Sequence, residues 1–187
     1  RARFLPAIEL IKKNMQVLEL KGSDDHRLRA LELAPVYYCC SSGECYGELE
    51  RSFQSLAPGA PLVTAEVLVR GRSIPVIRKA DGVVWFDFKM LCEGNRSVSD
   101  YIELARLYHT IILSDVPVFG TDDNDAAKRF VNFVDEIYDR NVNLVVSAEQ
   151  QPTQLYRGSR LSAQFLRTAS RLHEMRSHEY LAASHNP

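Results

Sequence analysis

Between residues 97 and 149 the sequence runs through helix, strand, helix and strand, in SVSDYIELARLYHTIILSDVP followed by KRFVNFVDEIYDRNVNLVVSAE. Ser97 with Asp100 three residues on is a capping-box pattern, in which a hydroxyl takes a free amide and a carboxylate reaches back. The helix after it is expected to bury Val98, Tyr101, Ile102, Ala105 and Tyr108. A β-branched run, Thr110 to Val116, then reads as a strand. The polar TDDND precedes a second helix carrying Ala126, Phe130, Phe133, Val134, Ile137 and Tyr138 at i, i+4, i+7 spacing. Asn141 ends it, and VNLVVSAE is another strand. Near-continuous apolar strands alternating with amphipathic helices require a parallel sheet covered on both faces. The fold class is therefore α/β, built from βαβ units.

The flanking sequence is less regular. Phe4, Ile8, Ile11 and Met15 share one helical face, with Pro6 in the first turn, and Val17 to Leu20 is a short strand. Residues 27–38, RLRALELAPVYY, suit helix or strand, and Pro35 breaks any continuous helix. A Ser-, Gly- and Pro-rich stretch, 41–61, surrounds one helical segment from Glu48 to Leu56. TAEVLVRGRSIPVIRKADGVVWFDF predicts a hairpin at Gly71 and a strand at Val83–Phe88. A last helix is expected from Leu161 to Leu181, with Leu161, Phe165, Ala169, Leu172 and Met175 inward and Arg160, Arg167 and Arg171 on an adjoining face.

Composition narrows the function classes. Lys and Arg total 23 against 24 Asp and Glu, a net charge of -1, so no basic footprint points to nucleic acid. No apolar run approaches the roughly 20 residues of a membrane-spanning helix. The chain opens without Met, as a processed chain or the tail of a longer one would. Cys39, Cys40 and Cys45 lack the paired spacing and nearby His of a zinc site. Reduced thiols in a cytoplasmic protein are the expectation.

Motifs for chemistry are sparse. The chain has no Gly-Lys dipeptide, hence no phosphate-binding loop of the G-x4-GK-[ST] type, and no GxGxxG after a strand. Ser114, Ser147 and Ser159 lack a GxSxG elbow. Cys92 reads as a buried structural thiol, and His109 as a capping or packing residue. Asp135-Glu136 lies mid-helix on an expected solvated face, away from the strand end where a catalytic Asp-Glu pair belongs. Asp115 does end a strand, but Val116 follows it where a base would stand. Asp122, Asp123 and Asp125 suit a helix start better than a calcium loop. Arginines are the positive signal, because guanidinium binds phosphate bidentately and stays charged.

Several strings in order are similar to the C-terminal half of the ZapE family of P-loop ATPases, which includes the mitochondrial lactation-elevated-type proteins. They are RARFLPAI, DHRLR, WFDFKMLCEGNRSVSDYIELARLYHTIILSDVP, RFVNFVDEIYDRNVNLVVSAE and LYRGSRLSAQFLRTASRLHEMRSHEYL, spread in order over nearly the whole chain except the cysteine-rich stretch around residues 39–61. The resemblance implies an AAA-like ATPase using ATP and Mg2+, with its Walker elements in an N-terminal half. It implies that Arg1, matching the Arg of the family's RxxFLP junction, is an arginine finger toward a neighbouring subunit. Arg27 matches the Arg of the family's DYR motif, with His26 replacing the Tyr, and Arg29 the next basic position. Arg171 is the sensor-2-like candidate.

The same resemblance implies a cytoplasmic protein of the division apparatus with protein partners, possible homo-oligomers and at most peripheral membrane association. On this reading residues 1–30 end the ATPase core and 31–96 form a β-rich connection. Beyond what the resemblance carries over, the strand–helix–strand layout within residues 97–160 is expected to make a degenerate second ATPase-like lobe, with Asp115 and Ser147-Ala148-Glu149 in Walker B-like and sensor-like places. Residues 161–187 carry the arginine-bearing helix. Parallel strands in one sheet are the condition for that lobe. The competing reading is a non-catalytic α/β interaction module. A nucleic-acid binder using the C-terminal arginines is disfavoured, because no aromatic stacking positions stand beside them.

Overall fold

Pro35 divides the stretch 27–38 into a helix, α1 (His26–Leu33), and a strand, β1 (Tyr37–Cys39), since proline lacks the amide that a continuing helix needs. The computed structural model describes residues 26–60 and 65–187. The helix and strand expected at Phe4–Met15 and Val17–Leu20 lie outside the described residues, as does Arg1. After β1 come α2 (Tyr46–Leu56), β2 (Ala65–Val69), β3 (Arg72–Val76), β4 (Arg78–Ala80) and β5 (Val83–Asp87). A π-helical turn at Lys89–Glu93 leads to α3 (Val98–Leu107), β6 (Thr110–Val116), α4 (Asn124–Asp139) and β7 (Asn143–Ala148). The chain closes with α5 (Ser162–Glu174) and α6 (His178–Ala182). The single helix expected over Leu161–Leu181 is therefore two, separated by a turn in which the Ser177 N–H donates to the Glu174 carbonyl at 2.8 Å. Ser177 then caps α6 through its hydroxyl. Arg160 precedes α5 and does not share its face with Arg167 and Arg171.

Five strands form one sheet in the order β1-β7-β6-β5-β4. β5, β6 and β7 are parallel neighbours, β1 pairs parallel with β7, and β4 pairs antiparallel with β5 across the Asp81-Gly82 turn. The predicted hairpin at Gly71 joins β2 and β3 as a separate two-stranded unit.

Alternate strand residues enter different cores because side chains alternate across a sheet. Val84, Phe86, Ile111, Leu113, Leu144 and Val146 face the side covered by α3, α4 and α5. Val83, Trp85, Ile112 and Val145 face the side covered by α1 and α2, where Leu49 and Phe53 are fully buried. The apolar runs are unbroken because both faces are used.

Helix α4 buries Ala127, Phe130, Val131, Phe133, Val134 and Ile137, while Ala126 and Tyr138 pack at its margin. In α3 the buried set is Asp100, Tyr101, Leu104 and Ala105. Val98 is exposed, and Ile102 and Tyr108 are only half-buried, because the stripe facing the core is narrower than the apolar count suggested. Asp100 is buried for a reason. Its Oδ2 accepts from the Ser97 N–H at 2.7 Å and the Ser97 hydroxyl at 3.0 Å, and Arg72 Nη2 reaches both oxygens at 2.5 and 2.6 Å. Burial raises the Asp100 pKa, but the Ser97 and Arg72 hydrogen bonds outweigh it and hold the carboxyl below its ordinary value.

Two further expectations change. Cys40 and Cys45 are joined in a disulfide, so the thiols of the 39–45 cluster are not all reduced, while Cys39 and Cys92 stay free. Nothing in the local spacing announces the pairing, which depends on the turn that brings the two Cα atoms to 6.2 Å. Asp135-Glu136 is not a solvated face either. Asp135 lies under α5, where Arg167 and Arg171 both donate to it, and Glu136 accepts from Arg140.

Candidate functional site

The carboxyl ends of the parallel strands are where α/β sheets bind ligands, at the point where connections leave for opposite faces. That point lies between β1 and β7. The chain leaving β1 runs to α2 on one face, and the chain leaving β7 runs to α5 on the other.

Asp115 stands on this edge, and it holds φ +62, a conformation that costs a non-glycine residue about 1–2 kcal/mol. The pairing of β6 with β7 shifts register between Leu113 and Val116, which turns Asp115 out of the ladder. Its N–H donates to the Ser147 hydroxyl at 2.9 Å, and its Oδ1 accepts from the Gly43 N–H at 2.8 Å. Ser147 is buried, and Ser114 beside Asp115 donates to the Phe86 carbonyl at 3.4 Å. One residue beyond β7, Glu149 Oε2 accepts from the Val118 N–H at 2.9 Å, and the Glu149 N–H donates to the Val116 carbonyl at 3.0 Å. Tyr37 on β1 donates to the Gln150 carbonyl at 2.6 Å, with the Arg176 guanidinium 5.7 Å from its ring. Burial pushes the Tyr37 phenol well above its usual range, keeping it a neutral donor.

Beside this edge a groove of about 830 Å³ runs between α5 and the turn after β7, lined by Gln151, Pro152, Leu166, Ser170, His173 and Arg176 among others. Leu166 on its wall is 69% exposed.

Of the arginines singled out as nucleotide contacts, only Arg29 and Arg171 have side chains among the described residues. Arg1 lies outside the described residues, and Arg27 is on α1 with its side chain outside them too. Arg29 is exposed on the same helix. Arg171 pairs with Asp135, contacts Asp139 at 3.3 Å and lies 4.7 Å from the Tyr138 ring centroid. Arg167 joins it on Asp135 at 2.6 Å. Cys92 is fully buried, and burial drives its thiol far above the ordinary range. His109 packs at the amino edge: its N–H donates to the Gly82 carbonyl at 3.0 Å and its Nδ1 meets the Thr110 hydroxyl at 2.9 Å. Ser159 accepts from Ser162 ahead of α5.

These residues do not by themselves compose a magnesium–phosphate site. Asp115 Oδ1 accepts from the Gly43 amide, the Ser147 hydroxyl accepts from the Asp115 N–H, and among the described residues no three acidic, His or Cys groups cluster to hold a metal ion. Sequence reasoning missed the Gly43–Asp115 contact, which joins segments 72 residues apart.

No solved structure matches the chain. Among curated proteins it is 38% identical over 185 residues to the cell division protein ZapE of Escherichia coli K12, covering 99% of this chain and 49% of that protein. It is 34% identical over 158 residues to the uncharacterized protein C115.02c of Schizosaccharomyces pombe, covering 83% of this chain and 35% of that one. With lactation elevated protein 1 homolog B of Danio rerio the identity is 32% over 152 residues, 80% of this chain and 30% of that one. The chain thus spans about half the length of ZapE and less of the others. Residues 1–184 match the model of the AFG1-like ATPases, and the chain belongs to that family.

Proposed function

We propose that this chain is the C-terminal portion of an ATP-hydrolysing AAA-like ATPase linked to bacterial cell division. It contributes an arginine finger and a partner-binding lobe, while the Walker elements that hold ATP and Mg2+ stand outside it. The observation that carries the reading is the match of nearly the whole chain to one half of a cell division protein. Arg1 is the finger, stabilising charge on the γ-phosphate at a neighbouring subunit's site in a homo-oligomer. Arg27 and Arg29 are secondary nucleotide contacts. Arg171 would join them only by leaving Asp135, which holds it within the chain.

Residues 97–160 are the degenerate ATPase-like lobe. In support, β6 and β7 are parallel neighbours, with Asp115 at a Walker B-like place and Ser147 at a sensor-like place. Val116 in the position of the base suits a lobe that positions partners and does not hydrolyse nucleotide. Cytoplasmic localisation and partners in the division apparatus belong to the same reading. No helix among the described residues is long and apolar enough to cross a membrane.

The test is nucleotide binding and turnover by the full-length protein with Arg1→Ala. Unchanged ATP affinity with turnover reduced about 10³-fold or more is the outcome for a finger; equal turnover sinks the assignment. The 187-residue chain alone is expected to show no turnover.

The exposed groove beside α5 favours one other reading, a non-catalytic α/β adaptor that holds a protein partner irrespective of ATP. A full-length protein that binds its partner with no turnover and no nucleotide dependence would support the adaptor.

A further inference from the structure

The disulfide loop is part of the functional edge. Cys40 follows β1 and its N–H donates to the Ala148 carbonyl at 3.0 Å, continuing the β1–β7 pairing past its last residue. Cys45 begins α2, whose Leu49 and Phe53 anchor it on the sheet. Between them Gly43 holds φ +79, which aims its amide at the Asp115 carboxylate. The Ser41 backbone N–H donates to the Glu44 carboxylate at 3.1 Å across the same turn. Residues 41–44 are all exposed and bury no side chain. Among the described residues, the covalent bridge and a few hydrogen bonds hold the loop over Asp115.

We propose that Cys40–Cys45 is a thiol–disulfide exchange site for a dithiol reductant, and that its reduction releases the loop from Asp115. The two sulfurs are not equivalent. Cys40 is half-buried and Cys45 only 9% exposed, so the incoming thiolate attacks Cys40 Sγ. A mixed disulfide forms there as the Cys40–Cys45 bond breaks, and the electron pair leaves on Cys45 Sγ, which takes a proton. Cys45 occupies the N-cap of the 11-residue α2, where the helix dipole favours a thiolate and so assists its departure. The reductant's second thiol then attacks the mixed disulfide, returning Cys40 as a thiol and leaving the reductant as a disulfide. Two electrons pass from the dithiol to the bridge. Opening the bridge restores the loop's conformational freedom, and the Gly43 amide leaves the carboxylate.

The molecule carries its own reporter. Trp85 is the chain's one tryptophan, fully buried, with the Tyr46 ring 4.8 Å away beside Cys45. The experiment treats the 187-residue chain with dithiothreitol. It reads cysteine alkylation in denaturant, the Trp85 emission maximum and hydrogen exchange at the Gly43 amide. Before treatment Cys39 and Cys92 alone should alkylate; after it, all four cysteines. The emission maximum should move to longer wavelength, and Gly43 exchange should quicken about tenfold or more. Cys40→Ser with Cys45→Ser should reproduce the reduced spectrum without any reductant. With Asp115→Ala, Gly43 should exchange at the fast rate in both redox states. Four alkylated cysteines before treatment would overturn the proposal. So would reduction that leaves both the Gly43 rate and the Trp85 emission where they were.

Discussion

The backbone N–H of Asp115 donates to the hydroxyl of Ser147 at 2.9 Å, tying the carboxyl ends of two adjacent parallel strands. Ser147→Ala leaves that N–H without a partner beside a buried position. A loss of about 1–3 kcal/mol in unfolding free energy is expected, with the far-ultraviolet spectrum unchanged. Urea unfolding measures it, and a loss below a few tenths would mean that water replaces the hydroxyl.

A side chain at Gly82 should be costly. It holds φ +68, and a Cβ there would meet the His109 ring at 2.3 Å. Gly71 holds φ +77 with nothing within 4 Å, so Gly71→Ala meets only the backbone penalty of about 1–2 kcal/mol. Gly82→Ala should cost clearly more, and His109→Ala should recover the excess in the double variant. Thermal melts of the four proteins decide it; equal losses at the two glycines would refute the clash.

Asp100 predicts an acid limb. Its folded pKa is depressed, so its contribution is complete above the ordinary carboxylate value of about 3.9 and fades as pH falls through the lower folded value. Asp100→Asn should be less stable than the unmutated chain at pH 6 and should flatten the stability profile below pH 4. Urea midpoints across that range test the sign. A variant whose loss grows as pH falls would contradict it.

Asp135 is shared by Arg167 and Arg171 at the α4–α5 seam, with the Asp135 side chain 23% exposed and that of Arg171 20%. A double-mutant cycle between Asp135→Asn and Arg171→Gln should return a coupling of about 0.5–1 kcal/mol that shrinks in high salt. If the coupling is absent, the ion pair does not hold Arg171 back from the nucleotide contact proposed for it.

The elements of residues 97–149 were legible because local spacing specifies them. Ile111 and Leu144 lie in short, near-continuous apolar runs that read as buried strands, and Phe130, Phe133, Val134 and Ile137 needed only a period of 3.6. The hairpin at Gly71 was legible for the same reason, through a turn residue that accepts positive φ. The three-residue strands β1 and β4 are too short to display a period. Of the candidate site, Asp115 and Ser147 could be named from their strand ends, but their hydrogen bond could not. It depends on a register shift between β6 and β7 that no local pattern carries.

By itself, then, the sequence determined the secondary structure where local pattern is strong, the α/β class with its parallel βαβ strands, and through its ordered motifs the family. Tertiary structure decided the rest. It placed β1 beside β7 to make the switch point, closed Cys40 on Cys45, set Gly43 over Asp115, and drew Arg171 onto Asp135. Periodicity is a property of neighbours along the chain. Each of these contacts joins groups whose meeting depends on how the intervening backbone turns and packs, so residue identity alone could not announce them.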